Sequence, residues 1–153
     1  MPKVDLAAIE ETNRTGYPAP FDEEVAGRWY RRLAPATGLS EFGASYVRLE
    51  PGAWSSQRHW HEGEDEMVVM LSGEAMLIED DGESILRAGD VAAWPKGVRN
   101  AHQLVNRGDT ACIFVAIGGG PQLGGAYADI DMKFSADGDY LHKDGTPYAA
   151  ARV

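Results

Sequence analysis

The chain of 153 residues has a single cysteine, Cys112, so no disulfide can form within it. A lone thiol suits a reducing compartment. Basic residues are also scarce, with 14 Lys and Arg against 24 Asp and Glu and a formal net charge of -10. Phosphate backbones and anionic lipid headgroups repel such a surface, which argues against nucleic-acid and membrane partners. Apolar runs such as Met67 to Leu71 are far too short to cross a bilayer. The start, Met1 to Leu6, has no apolar stretch behind a basic residue of the kind that directs secretion. The expectation is a soluble cytoplasmic protein.

What remains is ordinary globular material, 44% hydrophobic and 25% charged, at a length that suits one domain. Eight prolines and 18 glycines punctuate it at short intervals. Val4 to Asn13 reads as a short helical stretch, and Gly16-Tyr17-Pro18-Ala19-Pro20 then forbids regular structure. From Gly43 onward the pattern is short strands: Ala44–Leu49, Gln57–His61, Glu66–Ser72, Glu74–Glu79, Glu83–Arg87, Val91–Trp94, His102–Asn106 and Thr110–Ile117. Turn signals separate them, among them Pro51-Gly52, Asp80-Asp81-Gly82 and Pro95-Lys96-Gly97. Gly118 to Gly125 reads as a loop, and the tail holds one further strand near Ile130 to Phe134. Such spacing indicates an all-β sandwich or barrel. The chain divides into an N-terminal arm (1–42), a barrel core (43–120) and a C-terminal tail (121–153) belonging to the same domain.

Histidine is rare, with four in the chain, yet three of them fall in two short segments. The first is Gly52-Ala-Trp-Ser-Ser-Gln-Arg-His59-Trp-His61-Glu-Gly-Glu-Asp-Glu66, followed after six residues by Gly73. Side chains two apart on a strand share a face, so His59 and His61 converge while Arg58 and Trp60 point away. Imidazole suits zinc, iron, nickel and copper, and a carboxylate such as Glu66 adds compensating charge. Glu66 lies in a run with Glu62, Glu64 and Asp65, and Glu64 is its substitute if the loop folds differently. The second segment is Gly89, five residues, Pro95-Lys96-Gly97, four residues, His102, three residues, Asn106. It offers His102 as a fourth ligand. His142, in the turn-rich tail, reads as a solvated residue or a contact of that tail.

These two segments resemble the paired motifs of the cupin superfamily: glycine, His-x-His, glutamate, glycine, and then glycine, Pro-x-Gly, histidine, asparagine. The His61–Glu66 and Glu66–Gly73 intervals fit, and fifteen residues separate Gly73 from Gly89. The Gly52–His59 interval is one residue longer than usual and the Gly97–His102 interval two longer. Both insertions fall in turns, where they are tolerated. Gly16-Tyr-Pro-Ala-Pro-Phe21 and Asp144-Gly-Thr-Pro-Tyr148 extend the likeness, to a subgroup of small bacterial cupins, toward both ends. The resemblance implies a double-stranded β-helix, or jelly roll, preceded by a short helical or irregular arm. It implies one divalent metal ion (Fe, Mn, Zn, Ni or Cu) held by His59, His61, Glu66 and His102, and a homodimer.

Gln57, Met70, Trp94 and Asn106 are candidates for lining a pocket beside the metal. For Gln57 an ordinary strand amide is an equal reading. For Met70 and Trp94 core packing is the stronger one, and for Asn106 a structural hydrogen bond. Cys112 reads as inert packing. A metal with open coordination positions would serve an enzyme acting on a small molecule, and dioxygenase, isomerase and lyase chemistry all occur among cupins. The alternatives are a non-catalytic, metal-dependent binding or sensing module, and a barrel that uses its metal only for stability.

Overall fold

The computed structural model describes residues 2–149. A five-stranded antiparallel sheet forms one layer. Its strands are β1 (Arg28–Arg32), β2 (Gly43–Leu49), β4 (Asp65–Ser72), β7 (Val91–Trp94) and β9 (Cys112–Gly119), in the order β1-β2-β9-β4-β7. A three-stranded sheet of β5 (Glu74–Glu79), β6 (Gly82–Arg87) and β8 (Gln103–Val105) runs β6-β5-β8. A four-stranded sheet contains β3 (His59–His61), β10 (Gly125–Tyr127), β11 (Lys133–Phe134) and β12 (Tyr140–Leu141), ordered β12-β11-β10-β3. The last two sheets meet at a single bridge between His59 and His102. There His59 N donates to His102 O at 3.2 Å and His102 N to His59 O at 2.9 Å. Together they oppose the five-stranded sheet and close the jelly-roll barrel.

Alternation along the strands fills the barrel. Val47 and Leu49 on β2, Val68 and Met70 on β4 and Phe114 on β9 are buried with Ala75 and Leu77 on β5 and Leu104 on β8. Burying each large side chain contributes roughly 1.5–3 kcal/mol. A bulge between Met70 and Ser72 turns Leu71 outward. The following reversal requires glycine. Gly73 has φ +68°, and a Cβ there would lie 2.9 Å from Cys112 Cβ. A second cluster ties the two ends of the chain together, with Tyr17 and Val25 packed on Tyr127 and Met132. One α-helix, α1 (Leu33–Thr37), is present among the described residues, and it ends on Gly38 at φ +76°. No helix there is long and apolar enough to cross a membrane.

Four local readings change. The helix expected over Val4 to Asn13 is a single 3-10 turn, Leu6–Ala8, because Thr12 instead bridges Tyr30 of β1. β1 lies inside the stretch expected to be an arm. The glycine-rich loop is shorter, since β9 runs to Gly119 and β10 starts at Gly125. The tail holds three short strands rather than one.

Candidate metal centre

The barrel topology brings four side chains from three sheets to one point. β3 carries His59 and His61, the start of β4 carries Glu66, and the segment entering β8 carries His102. Glu66 Oε2 is the centre of the group. It lies 2.9 Å from His61 Nε2, 3.5 Å from His102 Nε2 and 3.7 Å from His59 Nε2. His59 Nε2 and His61 Nε2 are 3.1 Å apart. One donor atom each from His59, His61 and Glu66 falls within a sphere suited to a metal ion.

The opposite edges of the rings settle which nitrogens are available. His59 Nδ1 donates to Gln57 O at 2.9 Å and is 3.2 Å from Ser56 Oγ. His102 Nδ1 donates to Asn100 O at 3.0 Å. A backbone carbonyl can only accept, so these Nδ1 atoms carry the protons and both Nε2 lone pairs face Glu66. His102 is 3% exposed, and its Nε2 is buried without a hydrogen-bond partner. Lone pairs of two imidazoles and a carboxylate thus converge with no proton between them. A cation satisfies this arrangement, and the donor set fits a borderline divalent metal. His61 Nδ1 sits 3.2 Å from Glu64 Oε2, outside good hydrogen-bond alignment. Burial opposes a charged His61, but Glu64 and Glu66 outweigh it and raise the ring to about 9. Burial likewise opposes a charged Glu66, but whenever His102, His59 or His61 carries a proton on Nε2 its donation to the carboxylate holds Glu66 well below the usual carboxylate range.

A support tier holds His102. Trp94 stacks on its ring at 3.8 Å and 7°. Glu79 Oε1 accepts from Trp94 Nε1 at 2.8 Å and from Asn100 Nδ2 at 2.9 Å, so one carboxylate fixes both the stacked indole and the residue whose carbonyl orients His102. Phe134 packs edge-on against His61, with ring centroids 5.3 Å apart.

The site opens on a cavity of about 330 Å³ bordered by His59, Glu66 and His102, at the small end of ligand pockets. Trp94 lines it. Gln57, Met70 and Asn106 lie outside its lining. Gln57 Nε2 donates to Phe21 O and Glu24 Oε2, and Met70 is 1% exposed in the core. Asn106 Nδ2 donates to Leu49 O and Thr110 O, while its Oδ1 accepts from Gly108 N. Tyr17, Arg28, Tyr30 and Gln103 line the cavity without having been singled out in the sequence. Glu79 and Asn100 were missed as well. The polarity of an inward strand position was the signal for Arg28, but it could be read only once β1 was known. His142 pairs with Asp131 at 2.8 Å and stacks on Tyr148 in the tail, away from the site.

A model of the cupin domain matches residues 45–118. The chain is 42% identical to a sugar phosphate isomerase of the cupin superfamily from Silicibacter pomeroyi, over 97% of this chain and 98% of that one, with a TM-score of 0.90. A Cupin 2 conserved barrel domain protein from Salinispora arenicola is 26% identical over 76% of this chain and 84% of its own, with a TM-score of 0.55. An oxalate-binding protein from Thermotoga maritima is 34% identical over 71 residues, 46% of this chain. That match spans 56% of the relative's length, little more than half. The chain belongs to the cupin superfamily.

Proposed function

We propose that this protein is a metal-dependent isomerase acting on a small hydroxylated sugar phosphate. The observation that carries it is the convergence of three imidazole Nε2 atoms and one carboxylate oxygen at the edge of a small cavity. His59, His61, Glu66 and His102 would hold the ion. A divalent metal bound there would supply a Lewis acid that polarises a carbonyl or hydroxyl of the substrate. The chain's own groups do the rest. Trp94 and Glu79 keep His102 in place, and the apolar walls around Val68, Leu104 and Phe114 exclude bulk water. The full-length likeness to a sugar phosphate isomerase supports isomerisation over the dioxygenase and lyase alternatives. The single buried thiol, Cys112, supports a cytoplasmic setting.

The oxalate-binding relative favours a second reading, in which the same metal captures a small dicarboxylate without turnover. Elemental analysis together with proton NMR in D2O separates the two. Near-stoichiometric divalent metal is expected in the wild type and its loss in His61→Ala. The metal-loaded wild type is expected to convert a member of a panel of short aldose and ketose phosphates with uptake of solvent deuterium. Metal with no conversion of any member would favour the binding module. A wild type that holds no metal after reconstitution would end both readings.

A further inference from the structure

We propose that Arg28 anchors the anionic end of the molecule that occupies the metal cavity, a phosphoryl or carboxylate group. This deepens the function proposed above and rests on its reading of the cavity as a substrate pocket. β1 pairs with β2 in the register Arg28↔Leu49, Tyr30↔Val47. Directly paired residues share a face of the sheet. Leu49 and Val47 are buried in the barrel, so Arg28 and Tyr30 face inward as well. An inward arginine on a barrel strand is costly unless something meets its charge.

The protein meets it only in part. Arg28 Nη1 donates to Ser55 O at 2.8 Å, and the guanidinium lies over the Tyr30 ring at 5.3 Å. Its Nε is buried with no hydrogen-bond partner, and among the described residues Arg28 makes no ion pair. The carbonyl and the ring hold the planar fork in place and leave donors unused. Arg28 lines the same cavity as His59, Glu66 and His102. One wall therefore offers a metal site and another a fixed cation. A molecule with chelating oxygens at one end and an anion at the other satisfies both. The overall charge of -10 makes this local cation matter more, because most of the surface repels an anion. Arginine suits the task better than lysine, since its fork meets phosphate or carboxylate oxygens in pairs.

Calorimetric titration of zinc-loaded protein with orthophosphate, with oxalate and with a neutral sugar alcohol tests this. Wild type is expected to bind at least one anion. Arg28→Gln should weaken that binding about tenfold or more. Arg28→Lys should fall between the two. Metal content and sugar-alcohol binding should not change. A preference for orthophosphate identifies a phosphoryl anchor, and a preference for oxalate a carboxylate one. Anion affinity unchanged in Arg28→Gln, or no binding of either anion to wild type, would overturn the proposal. Metal content is measured separately, so a metal-free preparation counts against the proposed function, while orthophosphate titration of that same protein still tests Arg28. Should Arg28→Gln fail to fold, phenylglyoxal labelling of wild type read by mass spectrometry replaces it. Orthophosphate is expected to slow modification of Arg28 and not of the exposed Arg87. Equal slowing at both sites, or none, would refute the anchor.

Discussion

At the scale of single residues, the candidate metal ligands are held from behind as much as by one another. His102 has a wall of indole on one face, a carbonyl on Nδ1, and Glu79 joining the two supports. Removing that carboxylate leaves the Trp94 and Asn100 donors unpaired and frees the indole to tilt. Groups that orient a metal ligand are typically worth 10–100-fold in metal affinity. Glu79→Ala is therefore expected to weaken zinc binding by about tenfold, measured by competition with a chromophoric chelator. Its fold should survive with a loss of roughly 1–3 kcal/mol in denaturant unfolding. Wild-type affinity in this variant would mean that the stack does not orient His102. Arg58 shows the same logic on the outer face of β3. It bonds Asp129 through two nitrogens and also reaches Asp80, clamping the strand that carries His59 and His61 between the tail and the β5–β6 turn.

At the scale of elements, β3 is a three-residue strand whose position depends on β10, which pairs Gly125 with His61 and Tyr127 with His59. Gly125 allows that approach. A Cβ at this position would fall on Trp60 O and lie 2.5 Å from the Phe134 ring. Gly125→Ala must push β10 away from β3 or displace the ring that packs on His61. The expected result is a stability loss of about 1–3 kcal/mol together with weaker metal binding. Differential scanning calorimetry with and without zinc reads both, and a variant with unchanged melting and an unchanged zinc response would contradict this account. The same strands show what a sequence can reveal. β2, β4, β5, β6, β7 and β9 alternate or carry apolar runs between glycine turns, and they stand close to where the pattern puts them. The cluster of His59, His61 and Glu66 was legible as a candidate metal site because the histidines sit two apart on an extended segment and Glu66 falls at the start of the next strand. β1, β10 and β12 were not legible. Arg28-Trp-Tyr-Arg-Arg32 hides its inward parity behind charge, and Gly125-Ala-Tyr127 is too short and too glycine-rich to signal a strand. They form because partners already in place supply the hydrogen bonds. The part of the cavity wall that β1 builds, Arg28 and Tyr30, was invisible for that reason.

At the scale of the whole molecule, the centre joins three sheets, so a bound ion bridges elements far apart in the chain and its binding adds to folding stability. An ion at a hundred times its dissociation constant adds about 2.7 kcal/mol, enough to raise the melting temperature by several degrees. The size of that rise should depend on pH, because protons compete for the same nitrogens. In the metal-free protein His61 is raised to about 9, above its ordinary value of 6.5. A raised folded-state value means that the charged ring, paired with Glu64 and Glu66, stabilises the fold fully below 6.5. That contribution fades as pH climbs through about 9. Metal binding must displace this proton and so trades one stabilising cation for another. The zinc-induced increase in melting temperature is therefore expected to be small near pH 5.5 and to keep growing between pH 7 and about 9. A site of ordinary imidazoles would level off soon after 6.5. Thermal melts with zinc or with chelator, taken across that range, distinguish the two. An increase that is flat from pH 5.5 to 9 would mean that the histidines do not ligate, and a plateau from pH 7 would mean that Glu64 and Glu66 do not hold a proton on His61.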